Sequence, residues 1–241
     1  MKHDNFTSIS YFSKVKIVRQ NIGNALLKAA KQHARGNLID IGCGTKPYET
    51  LFAPFIKSYF GVDHPVTAEV NYGGQTKADL YADCTDTKLE SSTFDTLLST
   101  QVMEHIFDTK KYVSECYRLL KKGGIGIFTI PFLWQSHAEP YDFYRFTKYS
   151  IEQHFKEQDF EIIDLRNLEG AYAALIQTKI ISLYSMPSKF IVVKIFQKLL
   201  PILWIPILNF FALHFDAMFY NDKLCLTYIV IVKNSNKLIF N

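Results

Sequence analysis

Two glycines separated by one residue, Gly42 and Gly44, follow the acid Asp40 in the stretch LIDIGCGTKPYE. A glycine turn directly after an apolar run is typical of a strand-to-helix turn that lets a nucleotide-type cofactor approach the backbone. A turn that binds a pyrophosphate usually has a third glycine where this chain has Pro47, and Asp40 would repel a pyrophosphate. The pattern therefore favours a cofactor with a cationic end and no phosphate.

S-adenosylmethionine has these properties, because it carries a sulfonium and an amino group. Asp63 ends the second predicted strand and is suited to accept hydrogen bonds from two ribose hydroxyls. In the stretch ADCTD, the carboxylate of Asp83 can accept from an adenine amino group, and the backbone amide of Cys84 can donate to a ring nitrogen. Two alternatives stay open: Gly42 and Gly44 as a bare turn, and Asp83 as a solvated loop acid.

A later loop, PFLWQSHAEPYDFYRFT, concentrates polar and aromatic residues, which is unusual for a passive connection. We predict that His137 is a general base, since its ordinary pKa of about 6.5 suits proton transfer, and that Asp142 orients it or acts as the base. The predicted acceptor-binding residues are Trp134, Tyr141, Tyr144 and Arg145, with Phe143 as a further aromatic. The alternative is a structural lid in which Arg145 is ion-paired to Asp142.

The stretch QVMEHIFD contains adjacent Glu104 and His105. Neighbours on a helical turn are expected to point in different directions, unlike an i, i+4 pair. The four cysteines form no CxxC pair and indicate free thiols. We therefore expect no metal site, with Gln101 and His105 lining the cleft or bracing the loop.

Strand and helix patterns alternate along most of the chain. An amphipathic helix is predicted over residues 11–35, and apolar or β-branched runs at NLIDIG, SYFGVDH, DTLLST, GIGIFTIP, EIIDLRNL and LCLTYIVIVKN predict strands. Such alternation implies right-handed crossovers, a mostly parallel sheet, and a ligand site at the carboxyl ends of the strands.

These motifs, taken in order, resemble those of a class I S-adenosylmethionine-dependent methyltransferase of the type 11 group. The matching stretches are LIDIGCGTKPYE, GVDH, ADCTD, FDTLLSTQVMEHIFD, ECYRLLKKGGIGIFTIP and LTYIVIVKN, which span roughly residues 37–166 and the last strand. The sequence departs from the family where GTKP replaces a third small residue of the glycine turn.

The resemblance implies an α/β, Rossmann-like fold whose seven-stranded, mostly parallel sheet has its last strand antiparallel between the two before it. It also implies S-adenosylmethionine as the cofactor. The residues expected to bind it are Asp40, Gly42, Cys43, Gly44, Asp63, His64, Asp83, Cys84, Ser99 and Gln101. The loop with His137 resembles one in bacterial methyltransferases of glycan pathways.

A strongly apolar segment at about 170–220 separates the last two predicted strands, where a compact fold of this kind needs only a turn. Its length indicates a function. Lysine is the only charged residue type from Met186 to Leu200. We expect a helical insertion that covers the domain, contacts a second subunit, or lies on a membrane surface. The expected domains are an N-terminal helical segment, 1–36, packed on the core, and a methyltransferase domain, 37–241.

Composition narrows the functional classes. A net charge of +4 over 241 residues is too small to indicate nucleic-acid binding. No apolar stretch near the N-terminus has signal-peptide character, so we expect a cytoplasmic protein, either free or peripheral at the inner membrane surface. The expected activity is O-methylation of a bacterial glycan precursor or another small metabolite. The alternatives are a quinone or lipid-type acceptor and a non-catalytic cofactor-binding module; an NAD-binding oxidoreductase is disfavoured.

Overall fold

A computed structural model of the protein describes residues 9–187 and 189–235. The chain falls into two units. One contains a sheet and comprises Leu26–Pro131, Ser136–Arg166 and the chain from Tyr228 onward. The other is helical and comprises residues 9–25 with Phe132–Gln135 and Asn167–Thr227. Within the helical unit, the insertion groups with residues 9–25. The division into domains at residue 36 stays a prediction.

The sheet has seven strands in the order β3-β2-β1-β4-β5-β7-β6. Their bounds are β1 Asn37–Ile41, β2 Ser58–Asp63, β3 Leu80–Tyr81, β4 Phe94–Thr100, β5 Leu120–Pro131, β6 Phe160–Asn167 and β7 Thr227–Asn234. The pairings of β1 with β2 and β4, of β2 with β3, and of β4 with β5 are parallel. The last strand lies between β5 and β6 and contributes the antiparallel pairing. The predicted fold class is confirmed.

The central strands are apolar on both faces, as expected of a mostly parallel sheet. Ile39, Leu97 and Ile127 are fully buried. The two-residue strand β3 gave no recognisable sequence pattern because it is too short to show alternation. Its role is to carry the chain along the edge of β2 to Asp83.

Four short helices connect the strands of this unit: α2 Glu49–Phe52, α3 Pro65–Tyr72, α4 Thr109–Leu119 and α5 Lys148–Lys156. Asp108 caps α4 by accepting a hydrogen bond from the backbone N–H of Lys111, and Thr147 caps α5 in the same way. Helix α4 ends at Leu119 without a glycine cap. Strand β5 begins directly after the helix, and Gly123, with a φ of 75°, lies at its irregular start.

The helical unit contains the first part of α1 Lys16–His33, together with α6 Ala171–Tyr184, α7 Ile191–Leu203 and α8 Ile205–Met218. Its core forms where Ile180 of α6 meets Ile205 of α8. Two buried side-chain amides bind the segment that precedes α1. Gln177 donates to the carbonyl of Lys14, and Asn209 donates to the carbonyls of Tyr11 and Ser13. Among the described residues, no helix combines the length and apolarity that crossing a bilayer requires.

Candidate active site

A cavity of about 820 Å³ opens at the carboxyl ends of the parallel strands in the sheet unit. This is the edge at which the sequence predicted a ligand site, and the volume is in the range of small-molecule sites. Its lining comes from the turns after β1, β2, β3, β4 and β5. The polar and turn residues that line it are Gly42, Cys43, Tyr48, Asp63, His64, Asp83, Cys84, Thr85, Thr100, Gln101, His105, Asp108, His137 and Tyr141.

The glycine turn after β1 depends on the absence of side chains. Gly42 has a φ of 74°, and a Cβ placed on it would lie 2.3 Å from Cγ2 of Val102. Its N–H donates to the carbonyl of Val62, 2.8 Å away on the neighbouring strand. Gly44 also has a positive φ, of 50°. Replacing Gly42 would therefore combine backbone strain with a steric clash.

Asp63 is buried at the end of β2 and faces the cavity. One carboxylate oxygen accepts from the N–H of Gly44 at 2.7 Å, and the other accepts from the N–H of His64 at 2.8 Å. Each oxygen can accept a further hydrogen bond. The glycine turn and the acid that the sequence singled out are therefore joined directly, in an orientation fixed by the backbone.

Asp40 is not among the residues that line the cavity. Its side chain is buried, and one oxygen accepts from the hydroxyl of Tyr59 at 2.6 Å. The other oxygen has no hydrogen-bond partner within the described chain. Burial raises the pKa of Asp40 to about 7, against the hydrogen bond from Tyr59, which lowers it. Asp40 thus lies behind the glycine turn.

Ser99 also lies behind the cavity rather than on it. Its hydroxyl donates to the carbonyl of Ile41 and accepts from the hydroxyl of Tyr112, so it braces β1 against β4 and α4. Gln101 does line the cavity, with a φ of 56° and a backbone N–H donated to the carbonyl of Thr129.

The turn after β3 brings Asp83 and Cys84 to the cavity, as the sequence predicted. Asp83 accepts from both the backbone N–H and the hydroxyl of Thr85, each at 2.8 Å. Burial raises the pKa of the Cys84 thiol to about 12, so the thiol stays protonated and is unsuited to act as a nucleophile. Burial likewise raises the pKa of the Cys43 thiol.

The carboxylates that line the cavity give it an acidic character. Asp63, Asp83 and Asp108 line it, and within the described part of the chain no lysine or arginine does. A pyrophosphate would meet carboxylates without a compensating cation, whereas a cationic ligand would be attracted. The electrostatics of the cavity therefore agree with the preference inferred from Asp40 and Pro47.

Two histidines face each other at the rim. Nδ1 of His105 donates to the carbonyl of Tyr141 at 2.7 Å, and the rings of His105 and His137 meet edge to face, 4.8 Å apart. Burial lowers the pKa of His105, so its ring is neutral near pH 7. Nδ1 of His137 lies 3.6 Å from Oδ2 of Asp142.

Asp142 is held by more than one group. Arg145 donates to both of its oxygens, at 2.7 and 2.8 Å, and the backbone N–H of His137 donates at 3.0 Å. Burial would raise the pKa of Asp142, but these hydrogen bonds lower it below its usual value. A carboxylate so stabilised is a weak base. The pairing of Arg145 with Asp142 that the sequence left as an alternative is the one observed.

The structure does not bring every predicted acceptor-binding residue to the cavity. Tyr141 lines it, but Tyr144 and Arg145 do not, since the Tyr144 hydroxyl donates to the carbonyl of Phe107 and Arg145 binds Asp142. Trp134 belongs to the helical unit and lines a separate cavity there, of about 640 Å³.

Glu104 is a residue of the site that the sequence did not single out as functional. It is fully buried, and neither carboxylate oxygen has a hydrogen-bond partner among the described residues. Burial raises its pKa to about 8. Its Oε1 lies 3.7 Å from Nε2 of His105, so the expectation that these neighbours diverge is wrong. Both residues belong to the 3₁₀ turn Met103–His105, and their side chains approach each other although they are neighbours in the chain.

Glu104, His105 and His137 each offer one polar atom within 4.8 Å of the other two. The chemistry of this set suits a divalent cation, although the sequence predicts no metal, and that remains a prediction. The signal for this cluster in the sequence is the adjacent pair Glu104 and His105 after β4. Adjacency alone does not show that the two side chains converge.

Comparison with known proteins agrees with this geometry. Residues 39–128 match a family model described as a methyltransferase domain. A curated protein of Mycolicibacterium smegmatis, described as a "Probable S-adenosylmethionine-dependent methyltransferase", is 24% identical over 123 residues, which are 50% of this chain and 45% of that protein. The chain thus spans less than half the length of this relative. The matches confirm the family resemblance of the motifs.

Solved structures show the same fold. One is a SAM-dependent methyltransferase from Archaeoglobus fulgidus, with 16% identity, a TM-score of 0.53, and coverage of 92% of this chain and 94% of that one. Another is the cyclase SpnF, with 14% identity, a TM-score of 0.55, and coverage of 90% and 83%. Because the fold also supports a cyclase, the chemistry must be argued from the site.

Proposed function

We propose that this protein, whose residues 39–128 form a methyltransferase domain of the class I, S-adenosylmethionine-dependent group, transfers a methyl group from that cofactor to a hydroxyl of a small molecule or glycan precursor. The observation that carries the proposal is the acidic cavity at the strand ends. Asp63 is fixed on its wall by two backbone amides, and no lysine or arginine of the described chain lines it.

The residues around the cavity fit the cofactor. Asp63 would accept from the ribose hydroxyls, and Asp83 with the backbone amide of Cys84 would bind the adenine. The turn with Gly42 and Gly44 would lie against the methionine portion, because both positions lack a side chain. When bound, the cofactor supplies a methyl group activated by the positive sulfur.

The protein's own contribution is alignment and proton removal. Direct displacement at the methyl carbon requires the acceptor oxygen to approach in line, and a hydroxyl acceptor must lose its proton. We assign the proton to the imidazole of His137, which lines the cavity. Asp142 acts as a positioning residue, because Arg145 and the His137 backbone fix its oxygens. Tyr141 lies on the same wall and would contact the acceptor.

A second class of acceptor is supported by a separate observation. Helices α7 and α8 expose an extensive apolar surface, which would suit a quinone or lipid-type acceptor presented at a membrane. A non-catalytic cofactor-binding module is the remaining alternative. Its expected signature is cofactor binding without turnover.

Methyl transfer is tested by incubating the protein with methyl-labelled S-adenosylmethionine and with fractions of bacterial extract separated into water-soluble glycans, small metabolites and lipids. Label in a hydroxyl-bearing glycan or metabolite supports the proposal, and label in the lipid fraction selects the second class of acceptor. The Asp63→Ala variant serves as the control and should transfer much less label when the cofactor concentration is below the dissociation constant of the parent. Binding of the cofactor without transfer to any fraction would contradict catalysis and indicate a binding module.

A further inference from the structure

Helices α7 and α8 expose large apolar side chains in unusual number. The side chains at least two-fifths exposed are Phe190, Ile191, Val192, Ile195, Leu199, Ile202, Leu203, Trp204, Ile207, Phe210, Phe211, Phe215, Met218, Phe219 and Tyr220. We call this set the α7–α8 surface. An exposed apolar patch of this extent marks an interaction site in a soluble protein.

The exposure of the α7–α8 surface bears on the expectation that the insertion only covers its own domain. If the insertion were only a cover for its own chain, Leu199, Leu203 and Phe210 should be buried. They are 45%, 52% and 47% exposed. The described part of the chain does not cover these side chains, which favours a partner outside it.

On α7 the exposed residues occupy one side of the helix. Ile191, Ile195 and Ile202 are spaced by four and seven residues and therefore share a face. Val192, Leu199 and Leu203 form the adjacent stripe. Lys194 and Lys198 are also exposed and, by helical spacing, border the aliphatic stripe on one edge.

The inner faces of these helices are fixed, so the apolar side chains are directed outward by packing. Ile205 and Asn209 of α8 are buried, and Asn209 donates to two backbone carbonyls at 2.7 and 3.0 Å. On α7, Gln197 donates to the carbonyl of Met186 at 2.5 Å. Turning either helix over would break its hydrogen bonds, and turning α7 over would also bury Lys194 and Lys198.

The charge of the segment selects the partner. From Phe190 to Tyr220 the chain has two lysines and one acid, Asp216, whose carboxylate accepts from the backbone N–H groups of Gly170 and Ala173. A second copy bound through the same surface would bring like charges together, because a twofold interface presents each patch to itself. An anionic lipid headgroup layer instead neutralises the lysines while the acyl region accepts the aliphatic side chains.

Length and aromatic placement indicate a helix that lies in the interface. The 13 residues of α7 extend about 20 Å, less than the roughly 30 Å of a bilayer core. Trp204, half-exposed between α7 and α8, and the exposed Tyr220 are of the types that anchor at headgroup depth.

We propose that the α7–α8 surface docks the protein onto an anionic lipid bilayer, with the helices parallel to the membrane plane and Lys194 and Lys198 at the headgroups. The proposal concerns binding alone and does not depend on methyl transfer. It is tested by co-sedimentation with phosphatidylcholine vesicles that contain or lack phosphatidylglycerol, at low and high salt.

We expect binding to the anionic vesicles only, and its loss at high salt, because exposed charges are screened beyond about 8–10 Å. Substituting both Lys194→Gln and Lys198→Gln should weaken partitioning roughly 30-fold, since each lysine near the surface contributes about 1 kcal/mol, a factor of about 5. Ile195→Ser with Ile202→Ser should also weaken it. Lys110→Gln and Tyr149→Ser, exposed positions of the sheet unit, are matched controls that should have no effect.

A second readout uses the two tryptophans of the chain. In the Trp134→Phe variant the emission comes from Trp204 alone. It should shift to the blue with anionic vesicles and be quenched by brominated acyl chains. Equal binding to neutral vesicles, or unaltered Trp204 emission, would overturn the proposal. So would a stable dimer that ignores vesicles and is disrupted by Ile195→Ser with Ile202→Ser, because the surface would then be a subunit interface.

Discussion

Nδ1 of His137 lies 3.6 Å from Oδ2 of Asp142, an oxygen that also accepts a hydrogen bond from the backbone N–H of His137 itself. Arg145 binds the same carboxylate from the other side. The arrangement fixes the loop that carries the imidazole and directs Nδ1 toward a negative charge.

Replacing His137 should therefore affect turnover and leave cofactor binding intact. For His137→Gln we expect kcat to fall about 10²–10⁴-fold, the usual range for loss of a general base, while the affinity for S-adenosylhomocysteine stays within about twofold. The measurements are steady-state turnover and calorimetric titration, with His33→Gln as the control. Unchanged turnover with a true hydroxyl acceptor would remove His137 from the mechanism.

The buried carboxyl of Glu104 should make stability depend on pH. Its pKa is about 8 in the folded protein, against an ordinary value of 4.5, so the folded state binds the proton more tightly. This stabilisation is complete below about pH 4.5 and is lost as the pH rises through 8. Asp40 and Glu169, with pKa values of about 7 and 8, act in the same direction.

Glu104→Gln keeps the neutral shape and removes the ionisation. In urea unfolding, the variant should resemble the parent near pH 5 and exceed it by about 1–4 kcal/mol near pH 9. The exposed Glu161→Gln is a matched control and should follow the parent at both values. If the difference between Glu104→Gln and the parent is independent of pH, Glu104 is not neutral in the folded protein.

Removing divalent metal should not change activity, because the proposed base is the imidazole of His137. Dialysis against EDTA followed by the turnover assay should leave kcat unaltered. A loss of activity that zinc, manganese or magnesium restores would instead identify the Glu104, His105 and His137 cluster as a metal centre. The activity of Glu104→Gln would then become insensitive to added metal.

The sequence allowed much of the sheet and the cofactor side of the site to be predicted. Gly42, Gly44 and Asp63 are set by strand periodicity and turn chemistry, which are local properties, and the topology brings them to one edge. The sequence did not decide the partner of Arg145. Its guanidinium could pair with Asp142, three residues away, or bind the methyl acceptor. The approach of Glu104 Oε1 to within 3.7 Å of His105 Nε2 could not be predicted, because adjacent residues of a helical turn ordinarily point in different directions.

The orientation of the helices in the long insertion could not be predicted either. Apolar composition predicted helices at 170–220, but composition cannot decide which face points outward. Asn209 and Gln197 decide it through hydrogen bonds to backbone carbonyls distant in sequence or across a turn. Two-residue β3 escaped prediction because its pairing with β2, rather than its own pattern, makes it a strand.

Calorimetric titration tests whether the acidic cavity binds S-adenosylmethionine. We expect saturable binding of S-adenosylmethionine and S-adenosylhomocysteine and none of NAD. Asp63→Asn should weaken that binding by about 1–3 kcal/mol, through loss of charge-assisted hydrogen bonds, while Asp86→Asn, outside the cavity lining, should not. Tight binding of NAD, or an Asp63→Asn variant that binds S-adenosylmethionine as well as the parent, would contradict the account.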